Sequence, residues 1–279
     1  MKRATQLINH LNKRIQTTSK IKAHKILLVL SLYEILTFFY CSNAIANNTP
    51  AGEEEYLIAS RYYRGKKVKQ DSIIAFMWYK KAAEQGHRKS QFNVGVMYQH
   101  AIGVYRNYKE AHKWYQKAAE QGHGGAQFNL GTMYHMGIGI DQDPQEAVYW
   151  YKAAGKNNIR EANYNLGVMH QTGRVIAKNP KEAFKYFEKA AYQQHAKSQF
   201  NLAGIYSTGI GVEKNIQTAF QWYLKAAHNN YKIAQILVSL FYQKGYSVKK
   251  NIKAANYWYQ EATKTDAVRS RIELRKLFL

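Results

Sequence analysis

The chain has 279 residues, with 41 Lys and Arg against 18 Asp and Glu, and its formal net charge is +23. A charge so far from zero favours anionic partners, which include nucleic acid, acidic lipid, acidic polysaccharide and acidic protein. The single cysteine, Cys41, excludes a disulfide framework and a cysteine-based metal site.

Residues 1–46 have the pattern of an export signal. A basic and polar stretch over residues 1–25 precedes a mostly apolar run over residues 26–40, and Ala44 and Ala46 form an A-x-A cleavage site. The apolar run is shorter than the roughly 18 residues expected of a transmembrane helix. We therefore expect cleavage, export to the periplasm or secretion, and no stable transmembrane anchor. The alternative is an uncleaved signal that anchors the protein in the inner membrane. Residues 47–52 are predicted to form a short linker.

A period of 36 residues organises residues 53–268. A fixed period of this length is typical of stacked repeats, each of which buries its apolar face only against its neighbours. We predict an all-α fold, an α/α solenoid and right-handed superhelix, with six helix-turn-helix repeats. The step generates one aromatic and two alanine columns: Trp78, Trp114, Trp150, Tyr186, Trp222 and Trp258; Ala75, Ala111, Ala147, Ala183, Ala219 and Ala255; Ala82, Ala118, Ala154, Ala190, Ala226 and Ala262.

The sequence pattern of each repeat predicts two antiparallel helices, A and B. In the third copy, Ala126 and Leu130 lie on one face of helix A, at helical spacing. Asp143 then provides an N-cap for helix B, Pro144 sits at the first helical position, and Glu146 is placed to complete a capping box. The cap column holds Asp or Asn in all six copies: Asp71, Asn107, Asp143, Asn179, Asn215 and Asn251.

The turn after helix B calls for a residue in the left-handed conformation. Gly86 and Gly122 supply it in the first two copies, and Asn158 and Asn230 tolerate it in the third and fifth. Gln194 occupies the same column in the fourth copy. Because Gln tolerates this conformation much less than Asn, we predict that the fourth turn is built differently.

Two segments of the unit carry a family resemblance. Residues 114–122 read W-Y-Q-K-A-A-E-Q-G and residues 126–134 read A-Q-F-N-L-G-T-M-Y, followed by a G-x-G turn and the Asp or Asn cap. This pattern resembles the Sel1-like repeat, a relative of the tetratricopeptide repeat. The resemblance implies an α/α superhelix that acts as an adaptor in protein complexes and signalling. For exported bacterial members it implies host-cell interaction or envelope functions.

Residues 269–279 follow the last repeat and have a helix-like pattern. Ile272, Leu274 and Leu277 alternate there with Arg271 and Arg275. We predict a C-terminal capping helix that covers the exposed end of the stack. The alternative is a partner-binding tail.

The first candidate site is a column of aromatic and amide residues on helix A. In tetratricopeptide-like stacks helix A lines the concave face, where aromatic rings suit apolar anchors and amides suit a peptide backbone. The competing interpretation, which the usual burial of Phe favours, is that the rings belong to the core and the amides pair between adjacent repeats. The partner-binding candidates are Phe92, Asn93, Phe128, Asn129, Tyr164, Asn165, Phe200 and Asn201.

The second candidate site is a basic edge just before the helix-B caps. Cations near a helix N-terminus oppose the helix macrodipole, so stability does not call for them. They are candidates for binding an anionic surface, and the alternative is ordinary solvated loop charge. The candidate residues are Arg106, Lys178, Lys214 and Lys250, with Lys66 and Lys67 on the same edge.

Catalytic and metal-binding motifs are not found in the sequence. It contains no nucleophile–base signature, glycine-rich phosphate loop or paired-acid motif. His87, His123 and His195 share a column, but adjacent copies would lie about 10 Å apart, too far for one zinc ion. We therefore expect no enzymatic activity, no cofactor and no metal.

The predicted function is a non-enzymatic scaffold or adaptor for protein–protein interactions, exported to the cell envelope or outside the cell, where its protein or peptide partner could belong to a host. One alternative is a binder of an anionic polymer or lipid surface through the basic edge, and a second is a cell-wall-acting hydrolase. The export signal argues against nucleic acid as the partner.

Overall fold

The computed structural model describes residues 50–264, and within this range the chain forms twelve α-helices and no strand. The predicted signal peptide (1–46), most of the linker and the predicted capping helix (269–279) lie outside the described residues. Odd-numbered helices correspond to helix A and even-numbered helices to helix B. They are α1 (Glu53–Arg64), α2 (Ser72–Glu84), α3 (Arg88–His100), α4 (Tyr108–Glu120), α5 (Gly124–Met136), α6 (Pro144–Lys156), α7 (Arg160–Thr172), α8 (Pro180–Tyr192), α9 (Ala196–Thr208), α10 (Ile216–His228), α11 (Lys232–Lys244) and α12 (Ile252–Thr263).

The helices form a stack in which each one from α2 onward packs against its neighbours in the chain. Short turns between consecutive helices make neighbours antiparallel. The turns from odd to even helices therefore line one edge, and those from even to odd helices line the other. Both alanine columns are buried in every repeat, which allows close helix approach. These features confirm the predicted all-α solenoid of six two-helix repeats, while its right-handedness stays a prediction.

The deepest aromatic rings occupy the column one residue after the tryptophans. Tyr115, Tyr151 and Phe187 are completely buried, whereas Trp78 and Trp150 stay half-buried. This tyrosine and phenylalanine column, which the sequence analysis did not single out, therefore fills the seams between helices together with the buried Trp114, Trp222 and Trp258.

Small residues on helix A make room for these rings. A Cβ atom added to Gly131 would lie 2.9 Å from Cδ1 of Tyr151, and one added to Gly167 would lie 2.7 Å from Cδ1 of Phe187. Such distances are shorter than van der Waals contact, so each ring rests directly on the helix-A backbone. This close approach fixes the spacing of the two helices within a repeat.

The helix-B caps are formed as predicted, with one difference. The side chain of Asp143 accepts hydrogen bonds from the backbone N–H groups of Gln145 and Glu146, at 2.9 and 3.0 Å. The backbone N–H of Asp143, however, donates to the carbonyl of Tyr134 at 3.0 Å. Because this bond uses the donor that Glu146 would need, the predicted capping box is only half made. Each of the six caps makes the same backbone bond to the preceding helix A.

The prediction that the fourth turn is built differently is wrong. Gln194 adopts the left-handed conformation with φ +60°, as do Asn158 at +60° and Asn230 at +59°. Backbone bonds hold the turn: the N–H of Gln194 donates to Ala191 at 3.0 Å, and the following N–H donates to Ala190 at 3.1 Å. These bonds and the packed helices on either side override the conformational preference of one side chain.

Candidate functional site

The aromatic column on helix A lies on the seam between repeats. Its rings are half-buried, and each one contacts an aromatic ring on helix B of its own repeat, with centroid separations of 5.4–6.0 Å. Phe92 also stacks on His123 at 4.4 Å, and Phe200 contacts Tyr231 at 5.1 Å. One side of each ring therefore contributes to packing, as the competing interpretation predicts. The other side is left partly open.

Two of the column amides join adjacent repeats. The Asn129 side chain interacts with the hydroxyl of Tyr115, and the Asn165 side chain interacts with that of Tyr151. Tyr115 also donates to Oε1 of Gln99 at 2.6 Å. Burial raises the pKa of both tyrosines, so their hydroxyl groups keep their protons. These amides consequently have a structural role and still lie at a surface.

Six of the eight partner-binding candidates line two cavities on the helix-A face. The larger, about 600 Å³, lies over repeats three and four and is lined by Phe128, Asn129, Tyr164 and Asn165. The smaller, about 360 Å³, is lined by Phe200, Asn201 and, from the preceding odd-to-even turn, Lys178. Phe92 and Asn93 line neither cavity. The structure therefore places the candidate site over repeats three to five.

The larger cavity combines apolar walls with polar groups. Met136, Ile138 and Val168 provide apolar surface, and Thr132 and His135 provide hydrogen-bonding groups. Within the described residues, Nδ1 of His135 is buried without a hydrogen-bond partner.

The sequence analysis did not single out His135 and missed its place in the cavity. Its column does contain a signal, because the corresponding residues are polar in five copies: Gln99, His135, Gln171, Ser207 and Gln243. A polar column beside an aromatic one on helix A is typical of a surface that is exposed in part.

The cations of the predicted basic edge are exposed, as solvated side chains would be. Arg106 lies 6.0 Å from the ring centroid of Tyr108. Lys178 is the one candidate of this set that lines either cavity on the helix-A face, where it comes together with Phe200 and Asn201.

The histidine column has a structural role as helix N-caps. Nδ1 accepts the backbone N–H three residues on, at 3.3 Å for His87, 3.2 Å for His123 and 3.3 Å for His195. Within residues 50–264, no group of three or more His, Cys, Asp or Glu side chains is arranged to hold a metal ion. No helix in the same range has the length and apolar character needed to cross a membrane.

Comparisons with solved structures place the fold among Sel1 repeat proteins. A Sel1 repeat protein from Oxalobacter formigenes is 32% identical with a TM-score of 0.67, and the match covers 77% of this chain and 86% of that one. A protective antigen of uropathogenic Escherichia coli strains, which displays an SLR fold, is 28% identical with a TM-score of 0.74. That match covers 79% of this chain but 47% of the antigen, so this chain corresponds to about half of its length.

The sequence itself matches one family along the whole solenoid. A search of the curated proteins found no match. The family model described as Sel1 repeat, in contrast, matches residues 55–87, 88–123, 125–159, 160–195, 196–231 and 232–264. These six segments coincide with the six helix pairs and make up most of the chain. The chain belongs to the Sel1 repeat family.

Proposed function

We propose that this protein is a non-enzymatic scaffold that binds an extended polypeptide along the helix-A face of repeats three to five. Sel1 repeat proteins are generally protein-interaction scaffolds. The observation that carries the proposal is the pair of cavities, in which half-buried rings alternate with amides at each repeat.

The chemistry of the cavities suits a peptide better than a small polar molecule. Rings such as Phe128 and Tyr164 offer apolar surface for side chains of the ligand, while Asn129 and Asn165 offer groups that match a peptide backbone. Thr132 and His135 add polar groups to the wall of the larger cavity. A repeated arrangement of this kind lets successive residues of an extended chain make equivalent contacts.

We further propose that the protein acts outside the cytoplasm. The pattern of residues 1–46 supports export, and the relative from Escherichia coli is a protective antigen, which agrees with a location accessible to a host. N-terminal sequencing of the protein recovered from the periplasm or the medium should begin at Asn47. Recovery in the cytoplasm of a chain that retains residues 1–46 would contradict export.

Site-specific cross-linking tests the binding face. Met136 and Met77 are equally exposed, at 64%, but only Met136 lines the larger cavity. A photo-reactive residue at position 136 should capture a discrete polypeptide in the native cell, and one at position 77 should not. Equal capture from both positions, or none from position 136, would reject the proposed face.

A further inference from the structure

Charge is distributed unequally between the two edges of the solenoid. We call the turns from odd to even helices (residues 65–70, 101–106, 137–142, 173–178, 209–214 and 245–250) the AB edge. The AB edge carries nine cations, Lys66, Lys67, Lys69, Arg106, Arg174, Lys178, Lys214, Lys249 and Lys250, against two anions, Asp141 and Glu213, and the N-cap carboxylates Asp71 and Asp143 directly follow two of its turns. The turns of the opposite edge, residues 85–87, 121–123, 157–159, 193–195 and 229–231, contain no Lys, Arg, Asp or Glu.

The stability of the fold does not explain these nine cations. All nine are exposed, and within the described residues none of them pairs with a carboxylate. The ion pairs that the structure does contain lie elsewhere, such as Lys113 with Glu110 and Lys185 with Glu182, both at 2.7 Å. Four of the nine directly precede a helix-B cap, where a cation opposes the macrodipole.

Exposed apolar side chains stand among these cations. Tyr105 is 94% exposed and precedes Arg106, Ile210 is 56% exposed, and Tyr246 is 61% exposed in the turn that holds Lys249. A polar polyanion such as an acidic polysaccharide would gain little from the aliphatic side chain of Ile210. The interface of a lipid bilayer, in contrast, accommodates tyrosine and aliphatic side chains beside lysine and arginine that reach the headgroups.

We propose that the AB edge docks the protein onto an anionic lipid bilayer. The cations are attracted to the headgroups, and Tyr105, Ile210 and Tyr246 enter the headgroup region. Positive charge is concentrated in the first, fourth and sixth turns, whereas the third carries Asp141 and no cation. The proposed contact is peripheral and made by side chains of the turns. The AB edge shares Lys178 and Ile210 with the smaller cavity of the polypeptide-binding face proposed above.

Vesicle flotation with the full chain tests the charge contribution. The edge variant replaces Arg106, Lys178, Lys214 and Lys250 with Gln. Its matched control replaces four other lysines with Gln and so also lowers the net charge by four. These lysines lie in the last turns of helices B, at the opposite edge: Lys117, Lys156, Lys189 and Lys225. Every variant keeps the apolar residues 26–40, so any insertion of this segment into the vesicles contributes equally to the binding of all variants.

We expect the wild-type chain to bind phosphatidylcholine vesicles that contain phosphatidylglycerol, and to be released by high salt. The edge variant should bind them at least roughly tenfold more weakly, since each cation near the surface contributes to attraction. The control should stay close to wild type. Equal loss in both variants, binding that salt does not weaken, or no binding by the wild type would overturn the proposal.

A second variant distinguishes a bilayer from a charged polymer. Changing Tyr105→Ser, Ile210→Ser and Tyr246→Ser removes the exposed apolar groups and leaves the charge intact. Vesicle binding should weaken severalfold, whereas retention on immobilised heparin should not change. If vesicle binding persists, or if the edge variant loses heparin binding alone, the edge binds polyanions and the bilayer proposal is wrong.

Discussion

At the scale of single residues, backbone geometry decides which side chains are tolerated. Gln194 and Gly122 occupy equivalent turns with φ +60° and +80°, although Gln is poorly suited to this region. A Cβ atom added to Gly122 would meet nothing within 4 Å. A methyl group at Gly122 would therefore have a conformational cost and no steric one.

This comparison predicts opposite effects for two substitutions. Gln194→Gly should raise the free energy of unfolding by roughly 0.5–1 kcal/mol, because glycine adopts positive φ without strain. Gly122→Ala should lower it by about 1 kcal/mol for the same reason. Urea unfolding of both variants measures the two changes. A loss of stability in Gln194→Gly would show that the Gln side chain stabilises the turn.

At the scale of helices, the N-caps His123 and His195 make the starts of α5 and α9 sensitive to protonation. Nδ1 of His123 accepts the N–H of Ala126 at 3.2 Å, so it must carry no proton. Burial lowers the pKa of His123, and the nearby Arg88 and Lys89 lower it further. Burial also lowers the pKa of His195; Arg160 and Lys197 act in the same direction, while Glu161 opposes them.

The consequence is a loss of stability in acid. Because the folded pKa lies below the unfolded value of about 6.5, the unfolded chain takes up protons first as the pH falls. The contribution of these caps to the free energy of unfolding is therefore fully present above about pH 6.5. It is lost as the pH falls through the folded pKa. Replacing His123 and His195 with Asn, which caps without titrating, should reduce the fall in melting temperature between neutral and mildly acidic pH.

The matched control for this experiment is His228→Asn. His228 is exposed, and its ring lies 4.9 Å from that of Trp258, at the end of α10 and not at a helix start. This variant should show the acid sensitivity of the wild type. If the double variant were as sensitive as the control, protonation of the caps would not be what destabilises the helices.

At the scale of the whole molecule, the fold could be predicted from the sequence because the same cap and packing residues recur in every repeat. The caps from Asp71 to Asn251 set where helix B begins, and the alanine columns set which faces meet. The burial of Tyr115 and Tyr151, which exceeds that of Trp78, could not be read in this way. Both residue types suit a core, and only the direction of the Cα–Cβ bond decides which one points inward.

The candidate site was predictable in part. The residues from Phe128 to Asn201 that the sequence proposed line the two cavities, but periodicity could not show that Phe92 and Asn93 lie outside them. It also could not identify His135, because a missing hydrogen-bond partner depends on the side chains around it. Repeats are equivalent in sequence position and differ in the local cavities that individual side chains create.

The central claim is that the helix-A face of repeats three to five holds an extended polypeptide. Titration of the cross-linked polypeptide, once identified, against Met136→Trp and Met77→Trp tests it most directly. Both methionines are 64% exposed, so neither change disturbs the core, but only the first fills the larger cavity. We predict an affinity at least about tenfold weaker for Met136→Trp and unchanged for Met77→Trp. Equal affinities for the two variants would contradict the claim.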